Sequence, residues 1–422
     1  MIKKLIYFVI ILSTISCAKE DVFKEPQIID EGGISTIIPL EKCKNGFAGI
    51  YPCNDYDLLA LFDKKQLSDS NGSDIWGWTD TLTAKEYAIT TFGDKTCFLD
   101  VTDPVKPIYI GFLNSAITNI TKVWRDVKVY NNHAFIVADN VGIHGMQVFD
   151  LTRLRNVANP PENFTHDALL TKGLANTIIG SCHNIVINEN IGIAYLVGCT
   201  SANGGGPIMI DISDPKNPVA VGQHTLDGYT HDAQVVTYKG PDTEYTNKQI
   251  LVASNGTTSG TNKVVILDVT NPANPQKIAE VTYPDTKYTH QGWFTSDQKY
   301  FLVNDELDEQ EIGNKTRTLI FDFSDLNNPS FHTQFLNTTA SIDHNLYVKD
   351  NFVYQANYSA GLRVLDISDM NAITEIGFFD TYPENDTASF SGIWSVYPYF
   401  PSGNLILSDF NRGFFIIRKS GS

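Results

Sequence analysis

The segment that decides the fold is Val265-Ile266-Leu267-Asp268-Val269-Thr270-Asn271-Pro272, because the chain repeats it. Ile208–Pro215 reads Ile-Met-Ile-Asp-Ile-Ser-Asp-Pro, with the same order of apolar residues, Asp, hydroxyl residue and Asp or Asn. A phrase that returns at intervals of roughly 45 to 60 residues indicates one structural unit copied along the chain. Its first Asp lies at Asp100, Asp150, Asp211, Asp268, Asp322 and Asp366.

Three further apolar runs accompany the phrase in most units. In the unit of Ile208–Pro215 they are His183–Ile187, Tyr195–Val197 and Val219–Gly222. Val, Ile, Phe and Tyr dominate these runs, and Asn, Asp, Gly and Pro separate them, which is typical of short β-strands joined by turns. Four strands per unit predict one blade of a β-propeller, because such a sheet buries both faces only against neighbouring blades.

The two ends of the chain together supply the last blade. Gly413–Ser420 aligns with Gly361–Ser368 and forms a seventh phrase, with Arg418 at the Asp position. No fourth strand follows it, whereas Asp57–Phe62 precedes the first complete unit and resembles Thr374–Phe379. We therefore predict an all-β fold, a seven-bladed β-propeller of four-stranded blades. Its N-terminal strand closes the last blade and removes an exposed sheet edge.

The first residues have the pattern of a secretory signal. Two lysines precede an apolar stretch from Leu5 to Leu12, which is too short for a stable membrane span. The following Thr-Ile-Ser-Cys resembles a bacterial lipobox, which implies cleavage before Cys17 and lipidation of its thiol. The domain prediction is a lipoprotein signal peptide over residues 1–16, a lipidated tether over 17–42 and the propeller over 43–420. The alternative is a soluble secreted protein.

The residues after Cys17 bear on the destination of the protein. Ala18 is not the Asp that resembles an inner-membrane retention signal, and Lys19-Glu20-Asp21 resembles the surface-export signal of Bacteroidota lipoproteins. The expectation is a bacterial outer-membrane lipoprotein at the cell surface, held to the membrane through Cys17, with a periplasm-facing protein as the alternative. A net charge of −17 argues against nucleic acid as a partner and suits a protein that binds cations.

Export to an oxidising compartment permits disulfide bonds. If the first two strands of the third unit form a tight hairpin, Cys182 lies directly opposite Cys199 and within bonding distance. Cys43 and Cys53 bracket a loop with Gly and Pro, so we predict that they form the second pair. Cys97 lies inside a strand and is predicted to be a buried free thiol.

Candidate site residues gather at one mouth of the predicted channel. The first strand of each blade lines the channel, and its start lies on the same face as the loops between the second and third strands. Alignment of the units places at that start Asp74, Arg125, His183, His231, His290, His344 and Gly392. The loops are expected to bring to the same mouth Asp139, Asp305, Glu306, Asp308 and Asp409.

Two interpretations of the four histidines stay open. Converging imidazoles and carboxylates suit Zn, Mn, Fe or Cu, so the mouth is a candidate site for a divalent metal ion, with His231 and His290 as one pair able to share it. Alternatively, a His at a fixed repeat position hydrogen-bonds the backbone of the next blade. The acidic loop Asn304–Glu309 offers oxygen ligands for Ca²⁺, or is a solvated loop.

Several phrases together resemble the choice-of-anchor B family of LVIVD-repeat proteins. They are Trp124–Tyr130, Gly145–Asp150, Thr230–Gln234, Asn304–Glu309, Asp343–Tyr347 and Gly361–Asp366. The resemblance covers about residues 43 to 420 and implies an extracytoplasmic β-propeller whose anchoring device varies between members, here a lipid. It implies no established reaction and no catalytic residues.

The sequence therefore favours a binding or scaffold module whose histidine-bearing mouth takes a protein, a glycan or a metal ligand. The alternative is a metal-dependent enzyme, a hydrolase or a lyase, with its site at the same histidines. Fold alone does not choose between these classes, because propellers carry both enzymes and scaffolds.

Overall fold

The computed structural model describes residues 40–199, 203–258 and 262–422. The predicted signal peptide, Cys17 and all but the last residues of the predicted tether lie outside them. The described chain begins with β1 (Phe47–Ala48), β2 (Tyr51–Asn54), β3 (Tyr56–Asp63) and the short helix α1 (Lys64–Leu67). Seven blades, each of four antiparallel strands, surround a central channel and confirm the all-β, seven-bladed prediction.

The first four blades follow one another along the chain. Blade 1 contains β4 (Gly72–Thr79), β5 (Glu86–Phe92), β6 (Lys95–Asp100) and β7 (Ile108–Asn114). Blade 2 contains β8 (Arg125–Tyr130), β9 (His133–Ala138), β10 (Met146–Asp150) and, after a strand β11 (Glu162–Phe164) that pairs in parallel with β7 of blade 1, β12 (Ala168–Leu170). Blade 3 contains β13 (Asn184–Asn188), β14 (Ile193–Val197), β15 (Ile208–Asp211) and β16 (Val219–Gln223). Blade 4 contains β17 (Asp232–Thr237), β18 (Gln249–Asn255), β19 (Lys263–Asp268) and β20 (Gln276–Val281).

The remaining blades complete the ring. Blade 5 contains β21 (Thr289–Phe294), β22 (Tyr300–Asp305), the helix α2 (Asp308–Ile312), β23 (Arg317–Asp322) and β24 (Ser330–Leu336). Blade 6 contains β25 (Asn345–Lys349), β26 (Phe352–Ala356), β27 (Leu362–Asp366) and β28 (Thr374–Phe379). Blade 7 contains β29 (Ile393–Tyr397), β30 (Leu405–Asp409), β31 (Gly413–Lys419) and the closing strand β3.

The repeated phrase forms the third strand of each blade and the turn after it. In blade 4 the Asp268 carboxylate accepts a hydrogen bond from the Thr270 amide, and Asn271 accepts one from the Ala273 amide. These are Asx turns, in which a short polar side chain replaces a backbone acceptor two residues on. The polar residues of the phrase are therefore turn formers, and the apolar residues before them are core.

The core lies between the blades. Tyr195 and Met209 of blade 3 pack in one buried cluster with Leu251 and Val265 of blade 4. Each such side chain, fully buried, contributes roughly 1.5–3 kcal/mol through the removal of apolar surface from water. Because both faces of a middle strand are covered in this way, these strands have continuous apolar runs.

The N-terminal segment closes the ring as predicted. In the pairing of β3 with β31, Leu58 lies opposite Ile417 and Phe62 opposite Phe414. The segment does more than was expected, since β2 also adds to β28 of blade 6 and carries β1 with it. The first ladder contact is the isolated bridge between Glu41 and Leu58.

Both predicted disulfides are present. Cys43 is bonded to Cys53, and Cys182 to Cys199 across the hairpin of β13 and β14. Cys97 is a buried free thiol, as expected. Within the part of the chain that the structure describes, no helix combines the length and the apolar character needed to cross a membrane.

Candidate functional site

The four histidines form an arc at one mouth of the channel. The ring centroids are 4.3 Å apart for His183 and His231, 4.2 Å for His231 and His290, and 4.3 Å for His290 and His344. Each lies at the start of the first strand of its blade, so the repeat itself places the imidazoles side by side. We call these four residues the histidine arc.

Each imidazole of the arc uses Nδ1 to join two blades. Nδ1 of His231 lies 2.9 Å from the carbonyl oxygen of His290, whose own Nδ1 lies 3.2 Å from the carbonyl oxygen of His344. Nδ1 of His344 lies 2.6 Å from the carbonyl oxygen of Trp394. A carbonyl only accepts, so Nδ1 carries the hydrogen and Nε2 keeps its lone pair.

The first member of the arc meets a carboxylate instead. Nδ1 of His183 lies 3.0 Å from Oδ2 of Asp139, which the sequence placed at this mouth. The Asp139 carboxylate fixes the same tautomer of His183, because a carboxylate, like a carbonyl, accepts the hydrogen bond. The structural interpretation of the histidines therefore accounts for one nitrogen of each ring and leaves the other outside this network.

Glu306 faces the Nε2 atoms of two arc members. Its Oε1 lies 3.7 Å from Nε2 of His290 and 3.6 Å from Nε2 of His344, and the three ligand atoms all lie within 4.8 Å of one another. These separations are too long for hydrogen bonds. Two atoms that each bind a tetrahedral ion at about 2.1 Å are about 3.4 Å apart, so the two edges at Glu306 are close to the separation of two ligands in a metal site.

Burial sets the protonation of this triangle. Desolvation lowers the pKa of His344 to about 3 and holds that of His290 well below its usual value, where the neighbouring His231 and His344 lower it further. Desolvation also raises the pKa of Glu306 to about 8, against a hydrogen bond from Tyr358. The imidazoles are thus in the neutral form that binds metals, and Glu306 would bind an ion with loss of its proton.

A cavity of about 350 Å³ opens above the arc, and we call it the aromatic bowl. Rings of Tyr288 and Tyr358 contact His231 and His344, with centroids 5.2 and 4.7 Å apart. Beyond the arc and Glu306, its lining consists of Val123, Trp124, Tyr288, Tyr358, Phe390, Trp394 and Phe410. None of these lining residues carries a positive charge, so the bowl suits a ligand that is neutral and partly apolar.

Two residues predicted to flank the histidines lie elsewhere. In blade 1, Ser73 and not Asp74 plays the part of the histidines. Its hydroxyl donates to the Arg125 carbonyl at 3.0 Å and joins blade 1 to blade 2. The Arg125 guanidinium bonds to the Gly93 carbonyl and the Ser115 hydroxyl, between blades 1 and 2. Its length lets it reach outward from the channel. Gly392 is required, because at φ +99° a Cβ would stand 2.3 Å from the Tyr358 carbonyl oxygen.

Two acidic residues expected at the mouth are enclosed instead. Asp305 accepts hydrogen bonds from the Tyr283 hydroxyl and from the Lys287 and Tyr288 amides. Asp409 accepts two from backbone amides in the turn between β30 and β31. Both side chains are fully buried. The expectation that they open onto the mouth is therefore wrong, although Asp305 fixes Tyr288 at the wall of the bowl.

A second charged layer lies directly beneath the arc. Nζ of Lys128 lies 3.2 Å from Oδ2 of Asp74 and also bonds to Asp126. Burial, together with the charge of Asp126, raises the pKa of Asp232, in the same layer, to about 8. Asp126, Lys128 and Asp232 were not among the site residues predicted from the sequence. The available signal was the polar residue that follows the channel position in most blades.

Comparison with known proteins supports the repeat. The LVIVD repeat family matches residues 259–282 and 344–381, in blades 4 and 6. No curated protein matches the chain. A solved structure, a putative 6-phosphogluconolactonase from Bacteroides uniformis, is similar with a TM-score of 0.52 and 12% identity over 72% of this chain and 84% of that one. At this identity the likeness shows the β-propeller fold alone.

Proposed function

We propose that this protein is an extracytoplasmic binding module that takes its ligand in the aromatic bowl, through a divalent metal ion held by His290, His344 and Glu306. The observation that carries the proposal is the triangle of two Nε2 atoms and one carboxylate oxygen, whose two edges at Glu306, 3.7 and 3.6 Å, are close to the separation of two ligands on one ion. A lipid anchor at Cys17, at the outer membrane and on the cell surface, completes the proposal. That part rests on the N-terminal sequence pattern, with a periplasm-facing protein as the alternative.

The surroundings of the two histidines support metal binding. Histidines that bind metals usually donate their second N–H to a carbonyl or a carboxylate, which fixes the ring and its tautomer. His290 and His344 donate to carbonyls in this way. Two nitrogens and one oxygen suit Zn, Mn or Fe better than Ca or Mg. The histidines beside the carboxylate are therefore His290 and His344. The pair expected from the sequence, His231 and His290, lies one blade earlier.

The walls of the bowl indicate the class of ligand. Trp124 and Phe390 at the rim are 38% and 43% exposed, so flat apolar faces are available for stacking. Stacking on aromatic rings suits a sugar ring or an aromatic side chain. The lining has no Lys or Arg side chain, so the metal ion alone would have to balance the charge of a phosphorylated ligand. A neutral glycan or an aromatic side chain of a protein partner, with an oxygen that reaches the metal, fits best.

Metal analysis of variants tests the proposal. We expect about one transition metal ion per chain in the wild type after chelation and reloading with Zn²⁺ or Mn²⁺. His290→Ala, His344→Ala and Glu306→Gln should each lose most of it. His332→Ala is the matched control, because its ring packs on Tyr300 in blade 5, away from the bowl. No metal in the wild type, or equal metal in all the variants, would leave only the structural role.

A metal-dependent hydrolase or lyase is the second candidate. The observation that favours it is that three protein ligands leave the remaining coordination positions facing a cavity, as in catalytic zinc sites. A metal in such a site activates water or polarises a carbonyl. Turnover of ester, lactone or glycoside substrates by the reloaded wild type, and not by His344→Ala, would favour the enzyme. Tight binding of a glycan without turnover would favour the binding module.

A further inference from the structure

A second cavity, of about 320 Å³, opens at the mouth of the channel opposite the histidine arc. We call it the lower cavity, and the lining residues that bear on its chemistry are Trp76, Glu189, Gln234, Trp293 and Gln298. The strands β13 and β17 begin at the arc and end here, and the charged layer around Lys128 lies between the two mouths. The lower cavity has the size of a small-molecule site and is separate from the aromatic bowl.

Tyrosines of blades 6 and 7 close one side of this mouth. The rings of Tyr347 and Tyr397 meet that of Trp76 edge to face, with centroids 5.7 and 5.1 Å apart. Tyr347 meets Trp293 in the same way at 5.0 Å. The cavity is the remaining side, which blades 1 to 5 line, and both tryptophans are partly exposed. Because these contacts fix the two indoles in place, they offer flat apolar surfaces to a ligand.

Two glutamines of the lining have a side-chain nitrogen that meets no acceptor among the described residues. Gln234 is 8% exposed, and its side-chain oxygen accepts a hydrogen bond from the Phe294 amide at 2.7 Å. The oxygen of Gln298 accepts one from the Lys239 amide at 2.6 Å. Since a backbone amide holds each oxygen, the nitrogen beside it stays free to donate into the cavity. A donor that is nine-tenths buried and unused by the protein indicates a bound ligand or water.

The rim of the lower cavity adds one carboxylate. Glu189, in the turn between β13 and β14, is exposed, and its side chain makes no ion pair or hydrogen bond with the described residues. Lys239, also exposed at the rim, has no ion pair within the same part of the chain, so the two charges nearly cancel. Amide donors, a carboxylate acceptor and two indole faces therefore surround one space. Hydroxyl groups both donate and accept, so a ring with several hydroxyls and an apolar C–H face complements all of them.

We propose that the lower cavity binds a neutral sugar of one or two rings, stacked on Trp76 and Trp293, with its hydroxyls held by Gln234 and Glu189. The competing ligand is a zwitterionic amino acid, with its ammonium group on Glu189 and its carboxylate on Lys239. The neutral sugar is favoured, because the unpaired charges are at the exposed rim and the buried group without a partner is an amide. This site needs no metal, so it stands whether or not the bowl holds one.

Titration calorimetry of the whole chain, treated with a chelator, tests the site. The probes are glucose, galactose, mannose, N-acetylglucosamine, maltose, cellobiose and lactose, and at least one of them should bind with one site per chain. Gln234→Glu keeps the acceptor for the Phe294 amide and replaces the free donor with an oxygen. Glu189→Gln removes the charge of an exposed acceptor on which the fold does not depend. Each should weaken binding about tenfold or more. Glu162→Gln, the same change at an exposed position in β11, is the control and should keep the affinity.

Tryptophan variants at the two mouths decide where the sugar binds. Trp293→Ala should lose binding, whereas Trp124→Ala, which removes an indole of the bowl, should keep the affinity of the wild type. Loss in Trp124→Ala with unchanged binding in Gln234→Glu and Glu189→Gln would place the sugar in the bowl and overturn the proposal. Binding of none of these sugars would also overturn it, as would binding of free tryptophan that Glu189→Gln and Lys239→Gln both abolish. Because the assay is free of metal, failure of the metal site in the bowl changes none of these outcomes.

Discussion

At the scale of single residues, each histidine of the arc has two separate tasks for its two ring nitrogens. Nδ1 joins one blade to the next, and Nε2 faces the bowl. The two interpretations that the sequence left open are therefore compatible. A substitution that keeps one nitrogen position and removes the other can separate them.

His344→Asn should perform this separation. The amide nitrogen of Asn can replace Nδ1 as the donor to the Trp394 carbonyl, but nothing replaces Nε2. His344→Ala also removes this donor and leaves the Trp394 carbonyl only the long bond from the Asn345 amide at 3.4 Å, which costs about 0.5–1.5 kcal/mol. We expect both variants to lose bound metal, and only the Ala variant to lose this part of the stability. Urea unfolding and metal analysis of the pair measure it, and equal stabilities would contradict the structural role of Nδ1.

Lys128 supports the charged layer beneath the arc. Its ammonium group bonds to Asp74 and Asp126 and lies 4.6 Å from the ring centroid of Trp76. Lys128→Met leaves the two carboxylates buried without a counter-charge, so we expect a loss of about 3–5 kcal/mol in the free energy of unfolding. Adding Asp74→Asn should recover part of the loss. Lys216→Met is the control. It removes the ion pair with Asp150 at a half-exposed lysine, so the free energy of unfolding should change little.

His144 makes the protein sensitive to acid. Its Nδ1 donates to the Gly145 carbonyl, and Nε2 faces the Arg125 guanidinium at 3.5 Å. Burial, together with the charge of Arg125, lowers its pKa to about 4. The unfolded chain binds this proton near pH 6.5, so this contribution to stability is full above pH 6.5. It falls by about 3 kcal/mol as the pH drops towards 4.

Unfolding by urea at pH 7.5 and pH 4.5 checks this contribution. His144→Gln should lose less stability between the two pH values than the wild type. His332→Gln, at an exposed position in the outer strand of blade 5, is the control and should keep the dependence of the wild type. The same loss in all three proteins would show that His144 does not carry the effect.

At the scale of strands and hairpins, the repeat made most of the fold predictable. The phrase fixes the third strand and its turn, and the hairpin of β13 and β14 has the register that the cysteines required, with Asn184 opposite Val197. The strands β1, β2 and β11 were not predicted, because each adds to a sheet of another blade and no repeat marks it. For the site, the sequence located the arc and Glu306. It could not show that Asp305 and Asp409 are enclosed by backbone donors.

The hairpin disulfide is expected to stabilise blade 3. Cys182 and Cys199 close a loop with a sequence separation of 17, for which chain entropy gives about 3 kcal/mol. The double variant with Ala at both positions should lose about this amount in urea unfolding. Peptide mapping without reduction should find both disulfides, with Cys97 alkylated only after unfolding. A link that contains Cys97 would contradict the pairing.

At the scale of the whole molecule, the N-terminal segment covers the edges of two blades. Its β2 pairs with β28 of blade 6 and its β3 with β31 of blade 7. Unpaired sheet edges promote aggregation. Deleting residues 41–63 should therefore cause aggregation or a loss of cooperative unfolding, relative to a chain that begins at Leu40. Light scattering and thermal unfolding measure both, and equal melting of the two chains would contradict this role of the segment.

The shared last blade also affects the time course of folding. Asp57 and Ser420, bonded to each other, lie 363 residues apart, so β3 is made long before its partner β31. At the usual rate of synthesis this delay is on the order of tens of seconds. During that time the apolar residues Leu58–Phe62 have no strand to cover them. A chain that ends before β31 keeps β3 uncovered. Its N-terminal strand is then an exposed apolar segment that proteases can cleave, although the missing part of the chain is at the C-terminus.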